Sequence, residues 1–198
     1  MKLFLATGNE HKVEEMKKII SDLDVELVSK TEYEDMPEVV EDADTFTGNA
    51  LKKARELCEY TALPTIADDS GLVVDVLDGQ PGVYSARFAG VGATDQDNNE
   101  KLLQMLEGIS VGKRKAYFIS AMALVRPSGQ EDIVTGRCYG KIGFEEIGEA
   151  GFGYDPLFIA EGYEQTFAQL GSEIKNKISH RAKSLAKMKK ILVGSVES

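Results

Sequence analysis

Cysteine is scarce in this chain: Cys58 and Cys138 are the only two in 198 residues. They show no metal-type spacing and build no disulfide framework, so both read as buried, reduced thiols. Long hydrophobic runs are absent as well, which excludes a membrane-spanning helix. The opening MKLFLATGNE turns polar too soon for a secretory signal, so the expectation is a cytoplasmic protein with no membrane partner. Positive charge is in short supply: 23 Lys and Arg face 33 Asp and Glu, a net charge of −10. That argues against a nucleic-acid partner, because binding a phosphate backbone rests on a basic face. A small anionic substrate stays open, provided a few cations converge or a divalent metal neutralises its phosphates. There is no repeat, low-complexity tract or linker, so residues 1–198 are expected to form a single domain.

What is present is ordinary for a soluble globular protein, 42% hydrophobic and 28% charged. Residues 2–6 read as a buried strand, 11–22 as a helix with Val13, Met16, Ile19 and Ile20 at helical spacing, and 25–29 as a return strand. The acidic stretch 32–44 has no period and is expected to be a loop. A helix follows from 47 or 49 to 60, ended by Leu63-Pro64. Residues 65–68 and 71–77 read as two extended segments. Thr94 with Asp97 forms a capping box ahead of a helix carrying Leu102, Leu103 and Leu106. Residues 115–126 and 131–139 flank Pro127-Ser128-Gly129 as a hairpin, and a last helix covers 179–193. Strands and helices alternate early and a hairpin comes late, which predicts a mixed α/β sheet.

Four segments carry candidate chemistry. The first, TGNEHK at 7–12, lies between a strand and a helix, where unsatisfied N–H groups and the helix dipole suit a phosphate. Gly8 permits close approach, Thr7 and Asn9 add donors, and Lys12 adds a charge; an ordinary Asn-capped turn is the alternative. The second is Asp68-Asp69 after an apolar strand. Two carboxylates suit Mg²⁺, a hard ion preferring oxygen, and one near the metal can activate water. An acidic turn is the plain reading. In an extended segment the two side chains point to opposite faces, so only one faces a site squarely.

The third segment is Gly151-Phe152-Gly153-Tyr154-Asp155-Pro156. Its two aromatics suit stacking on a base and Asp155 suits ring N–H groups; an aromatic plug closing the core is the alternative. The fourth is Lys175 with Ser179-His180-Arg181. Ser179 is a natural helix cap, whereas His180 and Arg181 fall in a first turn whose dipole disfavours cations. Another duty, such as donating to a base carbonyl, would explain them, as would a plain surface pair.

Taken together, TGNEHK, residues 61–90 (TALPTIADDSGLVVDVLDGQPGVYSARFAG), GFGYDP and SHRAKSL resemble the inosine/xanthosine triphosphate pyrophosphatase family, of bacterial and archaeal type, over essentially the whole chain. The resemblance implies an elongated α/β fold with a central sheet, two lobes with an active-site cleft, and a homodimer. It implies that Thr7, Gly8, Asn9, Lys12 and Lys53 hold phosphates, that Glu41, Asp68 and Asp69 hold Mg²⁺, and that Asp69 is also the catalytic base. Ser70 would contact substrate, Phe152 would stack on the purine within the Gly153-Tyr154 loop, and Asp155, Lys175, Ser179, His180 and Arg181 would read its edge. The family often has glutamate before Asn49, where this chain has Gly48. The activity implied is hydrolysis of ITP, dITP and XTP to monophosphate and pyrophosphate. The alternatives are a nucleotide pyrophosphatase with another base preference, or a nucleotide-binding regulator that does not hydrolyse.

Overall fold

The computed structural model of the chain describes residues 2–7, 13–14, 16–17, 25–33 and 35–196. Its framework is one mixed six-stranded sheet in the order β2-β1-β3-β4-β5-β6. The strands are β1 (Lys2–Leu5), β2 (Glu26–Ser29), β3 (Thr65–Val74), β4 (Lys115–Val125), β5 (Glu131–Ile142) and β6 (Phe158–Ala160). β1 runs parallel to both β2 and β3, with Lys2 opposite Glu26 and Phe4 opposite Thr65, whereas β5 and β6 are antiparallel. Parallel neighbours require a crossover. The helix expected over 11–22 lies mostly outside the described residues, though Val13, Glu14, Met16 and Lys17 are helical. No described helix is long and apolar enough to cross a membrane.

The chain divides into two compact units, the first Met1–Asp69, Ser120–Gly136 and Ala182–Ser198, the second Ser70–Ile119 and Arg137–Arg181. In the first unit β1 and the adjoining parts of β3 and β4 are buried on both faces. Phe4, Ala67, Ala121 and Ala123 pack against Ala50, Ala54 and Leu57 of helix α1 (Phe46–Thr61). The alternate residues Leu3, Leu5, Ile66, Met122 and Leu124 pack against Leu185, Met188 and Leu192 of the last helix, His180–Val196. Period-2 alternation thus yields two cores, the face under α1 taking small alanines and the other taking large side chains. Burying each large side chain stabilises by about 1.5–3 kcal/mol. Thr45 caps α1 by accepting from the Gly48 N–H at 3.0 Å. The helix ends at Ala62, at φ 55, whose N–H donates to the Cys58 carbonyl. The stop therefore falls just before Leu63-Pro64.

The second unit has its own core of Leu72, Phe118, Phe158 and Phe167, with Leu102 from helix α2 (Asp95–Met105) and Leu106, the residue that caps its C-terminus. The expected capping box is present: Thr94 and Asp97 exchange hydrogen bonds at the start of α2. Helix α3 (Phe167–Ile178), with its own box from Thr166 and Gln169, was not expected. The final helix, α4, begins at His180. β3 also corrects the sequence reading, since it runs without a break through Asp68-Asp69-Ser70-Gly71. β3 lies between β1 and β4 in the sheet, and β1 pairs with its first residues, Thr65 and Ile66.

Candidate active site

In the first unit, Thr7 lies two residues beyond the end of β1, and it shares the lining of a cavity of about 270 Å³ with Lys30, Glu38, Glu41 and Lys53. Three residues singled out from the sequence therefore meet there. Lys53 projects from α1 and forms an ion pair with Glu41 in the preceding loop. Lys52, one residue earlier, pairs instead with Asp42 at 2.6 Å, as expected when helical neighbours diverge by about 100°. Lys30, given no role by the sequence, lines the same cavity. Gly8, Asn9 and Lys12 lie outside the described residues.

The two adjacent aspartates are both buried. On β3, Ile66 belongs to the α4 side and Ala67 to the α1 side. By alternation Asp68 follows Ile66 and Asp69 follows Ala67, so Asp69 is the carboxylate turned toward α1. Its Oδ2 accepts a hydrogen bond from the Asn49 side-chain amide at 3.0 Å. Asn49 in turn accepts from the Ala43 N–H at 2.8 Å. Among the described residues, no three His, Cys, Asp or Glu side chains form a metal cage. By strand alternation Asp68 falls on the face opposite Asp69. Mg²⁺ needs no such cage, because it keeps waters and takes one or two carboxylates beside substrate phosphates. The oxygen donors of Asp69 and Glu41 fit it.

In the second unit the segment 151–156 is a tight turn folded around one buried carboxylate. Asp155 Oδ2 accepts from the Phe152 N–H at 3.0 Å and from the Lys175 ammonium, in the last turn of α3, at 2.5 Å. Gly151 sits at φ +87, and a Cβ there would lie 2.2 Å from Asp155 Oδ2, so only glycine fits. Burial pushes the Asp155 carboxyl above its ordinary pKa, against the opposing pull of Lys175. The half-buried Phe152 ring lies under two cations, Lys175 Nζ at 4.5 Å and the Arg181 guanidinium at 5.6 Å from its centroid. Such contacts are worth about 0.5–2 kcal/mol each.

The two aromatics of this turn divide the readings between them. Tyr154 is the core plug: it is buried, and its hydroxyl donates to the Ser85 carbonyl at 2.8 Å. Burial raises its pKa, reinforced by the Asp95 charge. Its side chain is thereby taken from the base-stacking set. Gly153 is held through its backbone, its N–H donating to Asp95 at 2.6 Å and its carbonyl accepting from Asn99 at 3.1 Å. Asp95 and Asn99, a turn apart on α2, were missed, since nothing local links them to residue 153. Ser179 is the extended residue between α3 and α4. His180 and Arg181 are buried, which rules out a plain surface pair. Ser70 is half-buried on β3. A separate hollow of about 540 Å³, lined by Tyr117, Tyr139 and Tyr163, contains none of the expected residues.

A mixed α/β fold carrying an oxygen-donor and lysine set in its first unit and a cation-flanked aromatic in its second defines a nucleotide-handling class of protein. The profile of the Ham1 family matches residues 3–191, and the chain belongs to that family. It is 49% identical over 192 residues to a dITP/XTP pyrophosphatase of Desulforamulus reducens, covering 97% of this chain and 96% of that one. It is 48% identical to the dITP/XTP pyrophosphatase of Clostridium tetani, with 98% of each chain covered. Among solved structures, a HAM1 protein from Coxiella burnetii superposes with a TM-score of 0.92 at 37% identity, covering 98% of this chain and 99% of that one.

Proposed function

We propose that this chain is a Mg²⁺-dependent pyrophosphohydrolase that converts non-canonical purine nucleoside triphosphates, ITP, dITP and XTP, to the monophosphate and pyrophosphate. The observation that carries the reading is that one Ham1-family chain holds both required chemistries. Thr7, Glu41, Lys53 and Asp69 suit a metal-bound triphosphate, and Phe152, Asp155, Lys175 and Arg181 suit a purine. The names of the relatives, dITP/XTP pyrophosphatases, support it.

Lys53 neutralises phosphate oxygens, Asp69 accepts a proton from the attacking water, and Asp69 with Glu41 would hold the metal. When bound there, Mg²⁺ would supply charge neutralisation on the phosphates and would lower the pKa of nearby water. Water adds across the anhydride bond between the α and β phosphates, and pyrophosphate departs. Positioning and electrostatic stabilisation provide most of the acceleration in such chemistry. Lys175 and Arg181, as donors, welcome a 6-oxo group, whereas the amino group of adenine sets donor against donor.

Steady-state pyrophosphate release on ITP, dITP, XTP, GTP and ATP, with and without Mg²⁺, tests the reading. Preference for ITP and XTP over ATP by at least about a hundredfold in kcat/KM, some 2.7 kcal/mol, is expected, with activity lost on chelation. Binding without release would indicate a regulator, and preference for another base a different pyrophosphatase. Asp69→Asn should lower kcat by about 10²–10⁴-fold or more with the fold intact. The same reading includes a cytoplasmic homodimer, to be checked by sedimentation and fractionation.

A further inference from the structure

Asn49 stands in the first turn of α1, almost fully buried, and its side chain is used at both ends. The amide nitrogen donates to Asp69 Oδ2 at 3.0 Å and the amide oxygen accepts from the Ala43 N–H at 2.8 Å. Ala43 lies two residues beyond Glu41, in the loop whose carboxylate faces the cavity with Thr7 and Lys53. One side chain therefore ties the strand that presents Asp69 to the loop that presents Glu41. The neighbouring glycine makes this closure possible: a Cβ on Gly48 would stand 2.8 Å from the Ala43 Cβ. A larger residue at 48 would push Ala43 away from Asn49.

We infer that Asn49 is a positioning residue, which sets the carboxylate of Asp69 and the Glu41 loop in one fixed relation for metal and water. The inference rests on the function proposed above. A carboxylate has two oxygens and a free rotor, and a donor fixed in a helix that holds one oxygen also sets where the other lies. Asn meets both demands because it offers a donor and an acceptor on one planar group. Aspartate of the same shape keeps the acceptor for Ala43 but sets a like charge against Asp69. Leucine of similar size removes both bonds.

The test compares the wild-type chain with Asn49→Asp and Asn49→Leu in three measurements: thermal unfolding, kcat and KM for ITP, and calorimetric titration of Mg²⁺ in the presence of inorganic tripolyphosphate. Removing partners that orient a metal ligand typically costs about 10–100-fold in affinity or activity. Both variants are expected to lose kcat in that range, with KM changing less than about threefold and Mg²⁺ binding weakened in the leucine variant. If Asn49→Leu fails to fold, Asn49→Asp carries the kcat comparison alone. Wild-type kcat per folded molecule in either variant, with only the unfolding temperature lowered, would mean a merely structural asparagine and overturn the inference. Absence of pyrophosphate release from the wild type would sink the proposed function instead, and the Mg²⁺ titration would still report on Asn49.

Discussion

His180 lies flat against Phe118, the ring centroids 4.8 Å apart and the planes inclined by 17°. The imidazole thus rests on β4, and Phe118 itself packs on Phe158 and Phe167. A residue at the start of α4 is oriented by the aromatic core of the second unit. Phe118→Leu keeps an apolar side chain but removes this platform, and it should destabilise by about 1–2 kcal/mol. It should also lower kcat/KM for ITP more than for ATP, by freeing His180 from its orientation. Urea unfolding together with steady-state kinetics checks both. Unchanged selectivity in the destabilised variant would reduce the stacking to packing alone.

The buried Asp155–Lys175 pair should reveal itself through pH. Lys175→Met leaves the Asp155 carboxylate buried without its ammonium, at a cost of about 3–5 kcal/mol near neutral pH. Burial already raises the Asp155 pKa, and loss of the cation raises it further. The folded variant then binds a proton more tightly than the unfolded chain does, so its deficit should shrink as pH falls through the raised value toward about 4. The deficit should be full above it. Unfolding free energies across that range, for this variant and for Asp155→Asn/Lys175→Met, provide the measurement. The double variant should be more stable than the single one at neutral pH, and a pH-independent deficit would contradict the account.

Lys53 holds the place of a cation beside Glu41. If Lys53 holds phosphates as proposed, Lys53→Met removes a phosphate ligand while releasing Glu41 from its ion pair. Affinity for ITP should then fall far more than affinity for IMP, since only ITP carries the phosphate tail that this charge would face. Mg²⁺ alone should bind somewhat more tightly. Calorimetry with ITP, IMP and Mg²⁺ separately measures all three, and equal losses for ITP and IMP would remove Lys53 from the phosphates.

Arg181 offers a direct test of base recognition. Its guanidinium is buried over Phe152, and if it donates to the 6-oxo group, Arg181→Ala should lower activity on ITP more than on ATP. The ITP-to-ATP ratio in kcat/KM should shrink by about tenfold or more, equivalent to one charged hydrogen bond of about 1.5–3 kcal/mol. Phe152→Ala should instead lower both substrates together. A ratio unmoved in Arg181→Ala would show that this arginine reads something else.

Features set by a few neighbouring residues were legible in the sequence. The capping box at Thr94 and Asp97, the turn at Pro127-Ser128-Gly129 between β4 and β5, and the apolar face of α1 each follow from local geometry. The family resemblance drew on the same kind of signal, short segments in fixed order, and the Ham1 match accords with it. Helix α3 was hidden because Gly171, at φ 74, breaks its helical conformation. β6 was hidden because three residues show no period.

What only the tertiary structure decided are the relations between residues far apart in the chain. Composition and spacing marked Phe152 and Tyr154 alike, and folding sent one to the core and left the other half-exposed beneath two cations. The same holds for Asp68 and Asp69, identical in sequence terms, which strand alternation turns to opposite faces. Asn49 reaches a carboxylate twenty positions on, and Asp95 and Asn99 reach Gly153 from another helix. Local preference acts through a residue's own dihedrals and its neighbours within a turn. The partner a buried polar group finds is set by which strands and helices the hydrophobic cores bring together, and no local pattern encodes that choice.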